Sequence, residues 1–189
     1  MIASDLHGSA YYTKKLLQCM ETEEPARVLL LGDLLYHGPR NDLPREYAPK
    51  EVLAMLNAHK DRLFCVRGNC EAEVDQMVLE FPVLADYALL ADPCGVIFAT
   101  HGHHHNEAQK PPLRAGDVLL YGHTHVPMCH LSDGILCLNP GSVSIPKEGS
   151  EHGYMILDDG VFIWKNLDQV EYHRYDWAHQ TGDCFTARP

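Results

Sequence analysis

Long apolar runs and basic residues are the features that this sequence of 189 residues has least of. No apolar run approaches the ~18 residues that a membrane-spanning helix needs, which excludes a helical membrane protein. Only 15 Lys and Arg stand against 26 Asp and Glu, so the formal net charge is −11. So acidic a chain is not expected to bind the backbone of long DNA or RNA. The first residues have no basic cluster, and we therefore expect no secretory signal.

Cysteines with the spacing of a redox or zinc motif are also absent. The seven cysteines form an odd set without any C-x-x-C, and most of them lie within apolar runs. Free cysteine in such surroundings behaves as a small hydrophobic residue. We therefore expect a reduced, cytoplasmic protein without a disulfide framework.

The residues that are present indicate a globular protein with an excess of histidine. Hydrophobic residues make up 46% of the chain and charged residues 22%, which excludes a disordered protein. The length favours one domain over residues 1–189, and the polar stretch at about 170–189 predicts a loosely packed C-terminal tail. Histidine occurs 13 times, and six of these residues lie between positions 101 and 125.

Helical and strand patterns alternate in the first half of the chain, whereas strands dominate the second half. Ser9 is placed to cap a helix over about 10–21, and Pro49 is placed to open another helix. Strands are predicted at 28–31, 63–66, 96–99, 118–121 and 135–138, and a hairpin at 154–164. This order predicts mixed α/β layers rather than a simple doubly wound sheet.

Residues that bind metals follow five of the short apolar runs. The carboxyl ends of parallel strands meet at one edge of a sheet, where α/β proteins bind ligands. One D-x-H or G-D is a weak signal, but five such motifs in this order are hard to attribute to chance. Seven ligands are too many for one tetrahedral zinc and suit two metals that share a carboxylate. The seven candidates are Asp5, His7, Asp33, Asn69, His101, His123 and His125.

These motifs resemble those of the calcineurin-like metallophosphoesterases, and in particular of the small bacterial YfcE-type phosphodiesterases. The motifs D-x-H, G-D, G-N-C-E, H-G-H and G-H-T-H follow successive apolar runs, and the similarity extends from Asp5 to about Leu157. The resemblance implies an α/β fold, a four-layer αββα sandwich of two stacked mixed sheets flanked by helices. It also implies a phosphodiesterase that cleaves small phosphodiesters by attack of a hydroxide bridging two divalent metals.

The resemblance further assigns roles to individual residues. One metal would be held by Asp5, His7, Asp33 and His125, and the other by Asp33, Asn69, His101 and His123. The predicted catalytic residues are Asn69, Cys70 and His101. Apart from the resemblance, Arg40, Asn41 and Arg67 are the nearest candidates for contacts with the substrate phosphate, and a solvated surface or a structural ion pair is the alternative for each. The predicted ions are two Mn²⁺, although Zn²⁺, Ni²⁺ or Fe²⁺ would also accept these oxygen and imidazole ligands.

Two residues depart from the family pattern. Cys70 stands where many members have a histidine that can protonate the leaving group, and Glu71 stands where Asp is more usual. A thiol is a weaker hydrogen-bond donor than an imidazolium, so Cys70 predicts poor turnover of substrates with poor leaving groups. The stretch 139–147 predicts a tight structural loop under the site.

Three other functions are compatible with parts of the sequence. A phosphomonoesterase or protein phosphatase would use the same metal pair, so the metal ligands alone do not separate it from a phosphodiesterase. A non-catalytic scaffold, such as the retromer subunit of this fold, would be marked by lost ligands, and none is missing. A nuclease is disfavoured by the net charge of −11 and the lack of a basic stripe. Edge strands that pair could also make a homo-oligomer.

Overall fold

Two mixed β-sheets of six strands each form the protein, and the computed structural model describes residues 1–186 of it. The strands are β1 (Ile2–Ala3), β2 (Val28–Leu30), β3 (Leu63–Cys65), β4 (Tyr87–Asp92), β5 (Gly95–Thr100), β6 (Val118–Leu120), β7 (Met128–Ser132), β8 (Ile135–Asn139), β9 (Gly153–Asp158), β10 (Val161–Asn166), β11 (Glu171–Asp176) and β12 (Phe185–Thr186). The α-helices are α1 (Ala10–Glu23), α2 (Pro49–Ala58) and α3 (Glu73–Gln76). The helices and strands predicted from the apolar pattern are all present, at bounds that differ by a few residues.

The first sheet has the strand order β11-β10-β9-β1-β2-β3. Its strands β1, β2 and β3 are parallel, whereas β9 runs antiparallel to β1 and continues into the antiparallel strands β10 and β11. Asp159 and Gly160 join β9 to β10 with φ of 46° and 77°, the left-handed conformation that a tight hairpin turn requires. The predicted hairpin is therefore confirmed.

The second sheet has the order β12-β7-β8-β6-β5-β4. Strands β5, β6 and β8 are parallel, and the flanking strands β4 and β7 are antiparallel to their neighbours. Each sheet thus contains a parallel trio, and the carboxyl ends of the two trios carry the predicted metal ligands. Together the sheets confirm the predicted αββα class.

Helices α1 and α2 cover the outer face of the first sheet. Ser9 caps α1, because its Oγ accepts a hydrogen bond from the Tyr12 backbone N–H at 3.3 Å, and Pro49 opens α2. Leu16 and Leu56 from the two helices pack with Leu30 of the sheet in one buried cluster. On the second sheet, Leu113 from the segment between β5 and β6 packs against a small buried cluster that includes Phe98 and Leu119. No helix of the described residues is long and apolar enough to cross a membrane.

A second apolar cluster fills the space between the sheets. It unites Leu29 and Phe162 from the first sheet with Ile97 and Leu120 from the second. Trp164 is fully buried there, and its indole N–H donates to the Asn139 carbonyl at 2.8 Å. This core fixes the two sheets against each other and so fixes the distance between their strand ends.

The predicted loose tail at 170–189 is wrong for most of its length. Residues 171–176 form β11, and β12 pairs with β7 at the far edge of the second sheet. Tyr175 and Trp177 are buried in the cluster between the sheets. Charged residues alternate with these two aromatic residues in the sequence, so the segment looks polar. In the structure the aromatic side chains face the core and the charged side chains face solvent. Residues 187–189 lie outside the described part of the chain.

Candidate functional site

Five loops that follow strands of both sheets meet at one end of the sandwich. Strands β1, β2 and β3 of the first sheet lead to four of the candidate ligands, and β5 and β6 of the second sheet lead to the other three. Five of the seven have a left-handed backbone with φ between 46° and 64°, namely Asp5, His7, Asp33, His123 and His125. Such conformations cost energy for non-glycine residues and are concentrated at functional sites.

The first group of side chains consists of Asp5, His7 and His125, all of them buried. Asp5 Oδ1 lies 3.2 Å from His125 Nε2 and 3.5 Å from His7 Nε2, and the two Nε2 atoms are 3.2 Å apart. The Nδ1–H groups of His7 and His125 donate to the backbone carbonyls of Tyr36 at 2.8 Å and Ile145 at 2.7 Å. Both Nε2 atoms therefore present a lone pair to the same point.

The second group consists of His101, Asn69, His123 and Asp33. His101 Nε2 lies 3.0 Å from Asn69 Oδ1, 3.2 Å from His123 Nδ1 and 3.5 Å from Asp33 Oδ2. The Nδ1–H of His101 donates to the Leu31 carbonyl at 2.7 Å, which leaves its Nε2 as the acceptor. All seven predicted ligands are thus brought together in two adjacent groups.

These contacts have the chemistry of metal sites rather than of a hydrogen-bonded cluster. Asp5 Oδ1 is buried and has no hydrogen-bond partner, although it faces two imidazole nitrogens. Nitrogen lone pairs that face one another repel unless a proton or a cation lies between them. Histidines that bind metals typically donate their other N–H to a backbone carbonyl, as three of these do. The residues therefore fit divalent metal ions.

The charges of the site favour cation binding. Burial by itself would raise the pKa of Asp5, but the neighbouring imidazoles of His125 and His7 hold that pKa well below its usual range. Burial and the nearby His101 lower the pKa of His123, which keeps its imidazole neutral. Burial by itself would lower the pKa of His7, but Asp5 raises it, so a metal ion that binds between Asp5 and His7 would have to displace a proton from this imidazole.

Asp33 lies between the two groups, as a shared ligand should. Its Oδ2 is 3.7 Å from His7 Nε2 and 3.5 Å from His101 Nε2. The backbone N–H of Cys70 donates to Asp33 Oδ1 at 2.9 Å, and the Cys70 thiol is 3.3 Å from Oδ2. Burial and Asp33 raise the pKa of Cys70, so the thiol stays protonated and donates to Asp33.

Glu71 supports Asp33 from behind. Its buried carboxylate accepts hydrogen bonds from the backbone N–H groups of Asp33 at 2.9 Å, Leu34 at 2.7 Å and Gly68 at 2.5 Å. Burial and Asp33 raise the pKa of Glu71, whereas these three donors oppose that shift. Glu71 therefore holds the loop after β2 against the loop after β3. The departure from the family pattern at Glu71 is visible in the sequence, whereas its three backbone donors are visible only in the structure.

Replacing Glu71 by Gln is expected to lower the free energy of unfolding by about 1–3 kcal/mol, because the amide NH₂ would face backbone N–H groups and leave at least one unpaired. Urea denaturation in a chelating buffer measures this effect without metal. The exposed Glu73→Gln at the start of α3 is the matched control, with no change expected. Equal stability of both variants would show that the Glu71 contacts contribute nothing.

The predicted substrate contacts fall in two places. A cleft of about 430 Å³ opens over several of the candidate ligands, and Arg40 and Asn41 line it together with Cys70. Arg67 instead lines a neighbouring depression with Asn69 and His104, and its Nη2 donates to the Glu71 carbonyl at 3.3 Å.

Lys147 also lines the cleft, although the sequence indicated only a structural loop at 139–147. The structural part of that prediction is confirmed, since the hydroxyls of Ser142 and Ser144 both donate to the Asp5 carbonyl at 2.9 Å. They hold the strained backbone of Asp5 in place. The preceding residues gave no signal that the end of this loop reaches the cleft.

Comparisons with known proteins agree with this geometry. The calcineurin-like phosphoesterase superfamily domain matches residues 1–159. The Escherichia coli K12 protein phosphodiesterase YfcE is 44% identical over 161 residues, which cover 85% of this chain and 88% of that protein. A solved structure of E. coli YfcE, described as a phosphoesterase, superposes with a TM-score of 0.90 at 42% identity and covers 93% of this chain and 97% of that one. The probable metallophosphoesterase YsnB of Bacillus subtilis is 27% identical over 164 residues, 83% of this chain and 82% of that protein.

Proposed function

Because the chain belongs to the calcineurin-like phosphoesterase superfamily and is a homologue of the phosphodiesterase YfcE, we propose that it hydrolyses small phosphodiesters at a pair of divalent metal ions. The observation that carries the proposal is the pair of ligand groups on either side of Asp33. A single metal would not need seven converging ligands, and a site without metal would leave Asp5 Oδ1 buried and unpaired.

One ion would be held by Asp5, His7, Asp33 and His125, and the other by Asp33, Asn69, His101 and His123. When bound, two such ions supply a water of low pKa as nucleophile and Lewis acidity toward the phosphoryl oxygens. The oxygen and imidazole ligands suit Mn²⁺, our proposed metal, and also accept Zn²⁺, Ni²⁺ or Fe²⁺.

The protein's own residues orient and hold this arrangement. The carbonyls of Tyr36, Leu31 and Ile145 accept the Nδ1–H of three histidines and so fix which ring nitrogen faces the site. Asn69 and Cys70 reach the cleft from the loop after β3, and Arg40 and Asn41 are placed to contact the phosphoryl group or its substituents. The protonated Cys70 thiol is the residue next to Asp33 that could give a proton to a leaving oxygen, although only weakly.

A non-catalytic scaffold is disfavoured, because a protein released from catalysis has no need to keep seven ligands and the strained backbone of five of them. A phosphomonoesterase would use the same metals, but its substrate, a phosphomonoester, carries more negative charge than a phosphodiester. The E. coli homologue is named a phosphodiesterase, and this supports the diester as substrate.

Activity should appear with bis(4-nitrophenyl) phosphate when Mn²⁺ is added, and it should disappear with EDTA. The same panel should include 4-nitrophenyl phosphate and a phosphoserine peptide, each with Mn²⁺, Zn²⁺, Ni²⁺ and Fe²⁺. We expect a higher kcat/KM for the diester, and restored activity after excess metal is returned to the chelated enzyme. Turnover of the phosphopeptide without turnover of any diester would identify a phosphatase instead.

Location and assembly are further parts of the proposal. All seven cysteines are free thiols, which supports a reducing, cytoplasmic location.

β4 is an edge strand of the second sheet with an exposed apolar side chain at Leu89, which supports association of two copies along this edge. A monomeric mass by light scattering would reject the homo-oligomer.

A further inference from the structure

Two cations with no partner line the cleft of a strongly acidic protein. Arg40 and Lys147 are exposed at the cleft, and among the described residues neither side chain forms an ion pair or a hydrogen bond. Seven other Lys and Arg side chains do form ion pairs with Asp or Glu. Within the described part of the chain, Lys14 and Lys50 on the helices are unpaired as well, so it is the position of Arg40 and Lys147 at the mouth of one cleft that points to an anionic ligand.

The two cations approach the cleft from different loops. The turn of Arg40 lies beside Cys70, since a Cβ on Gly38 would be 3.5 Å from the Cys70 Sγ and 3.2 Å from the Asn41 amide nitrogen. Lys147 lies beside the metal ligands, because its backbone N–H donates to the His125 carbonyl at 3.1 Å. The cleft therefore receives one positive charge from each of two separate loops.

The negative charge needed to match these cations is not present in the cleft. Asp33 is the acidic residue that lines it, and Asp33 belongs to the proposed metal centre. A simple phosphodiester carries one negative charge, which the metal centre itself would take up. The volume of about 430 Å³ is in the range of sites that bind whole small molecules rather than a single phosphoryl group.

We propose that the substrate is a small phosphodiester that carries a second phosphate group, and that Arg40 and Lys147 bind this second group. The inference rests on the proposed function, since it concerns the substrate of the same site. The second phosphate adds no chemical step. It increases binding and places the reacting diester over the metal ligands, and its charge makes its recognition dependent on salt.

The test compares two substrates that differ only in the remote phosphate. Thymidine 5′-(4-nitrophenyl phosphate) carries the reacting diester alone, and its 3′-phosphate derivative carries the same diester with a second phosphate. Both release 4-nitrophenolate, so one assay reads both. The wild-type enzyme should favour the 3′-phosphate by about ten-fold in kcat/KM, mainly through KM, as expected for a charge-assisted contact in a partly open cleft.

The variants Lys147→Gln and Arg40→Gln should each reduce this preference strongly, and Lys147→Arg should retain most of it. The exposed Lys14→Gln on α1 is the matched control and should leave both substrates unaffected. Raising the salt concentration should reduce the preference of the wild type but change little in Lys147→Gln.

Three outcomes would overturn the inference. If the wild type cleaves both substrates equally well, the proposed function stands and the second subsite does not. If Lys147→Gln and Arg40→Gln lower kcat equally on both substrates, the cations belong to the reacting phosphate. A preference that persists in both variants would assign the second phosphate to other residues. Failure to cleave either substrate with any metal would reject the proposed function itself.

Discussion

Asp33→Ala is expected to lose both metals and to reduce turnover of bis(4-nitrophenyl) phosphate by more than about a thousand-fold, since each metal-centre interaction that it removes is worth several kcal/mol in the transition state. The reason is the position of Asp33 Oδ2, 3.7 Å from a nitrogen of one ligand group and 3.5 Å from a nitrogen of the other. Removing a ligand of one group alone should leave the other group intact. Removing Asp33 weakens both groups.

Metal analysis by mass spectrometry, measured alongside turnover, checks this result. The exposed Asp42→Ala, in the loop between β2 and α2, is the matched control and should keep two metals and full activity. Circular dichroism should show that Asp33→Ala still folds, because the backbone N–H of Asp33 keeps its bond to Glu71. An Asp33→Ala protein that retains both metals and wild-type turnover would reject Asp33 as the shared ligand.

Cys70→His is the substitution with the second-largest expected effect, and its direction is a gain. The Cys70 thiol lines the cleft and donates to Asp33, and its raised pKa makes it a poor acid toward a leaving oxygen. An imidazolium at this place could protonate the leaving group. General acid catalysis is typically worth about 10²–10⁴-fold, and mainly for leaving groups that are poor.

The measurement is the dependence of log kcat/KM on the leaving-group pKa across a series of substituted aryl diesters. Wild type should show a steep negative slope, and Cys70→His should flatten it and raise the rate most for the least acidic phenols. Cys70→Ser should keep the wild-type slope, because a hydroxyl is no stronger an acid than the thiol. A Cys70→His enzyme with both metals and an unchanged slope would show that Cys70 serves only for packing beside the site.

The convergence of the candidate ligands could be predicted from the sequence because each one stands within a few residues of the end of a short apolar run. A buried strand of three or four residues leaves a clear run of Val, Leu or Ile, as at β2 and β6, and the ligand then stands at a known distance from it. Parallel strands place those positions at one edge of a sheet, so the order of the motifs predicts that Asp5 lies near Asp33 in the first sheet and His101 near His123 in the second. The position of each candidate ligand could thus be predicted from the residues next to it in the sequence.

The sequence was less informative where partners come from distant segments or where a strand lies at an edge. β4 is half exposed and lacks regular alternation, so it gives no clean strand pattern. The three backbone donors to Glu71 come from two loops that only the folded chain brings together. Lys147 is held at the cleft by the hydrogen bond from its backbone N–H to the His125 carbonyl. These two residues belong to different loops, and the sequence does not show that the loops meet.

The division of the ligands between the two sheets has a mechanical consequence. Asp5 and His7 belong to the first sheet and His125 to the second, and Asp33 and His101 are divided in the same way. Each proposed ion would therefore act as a cross-link between the two halves of the sandwich. Its binding free energy would add directly to the resistance of the halves to separation, and would grow with the logarithm of the free metal concentration. The free metal concentration would then determine the stability of the folded protein as well as its rate of turnover.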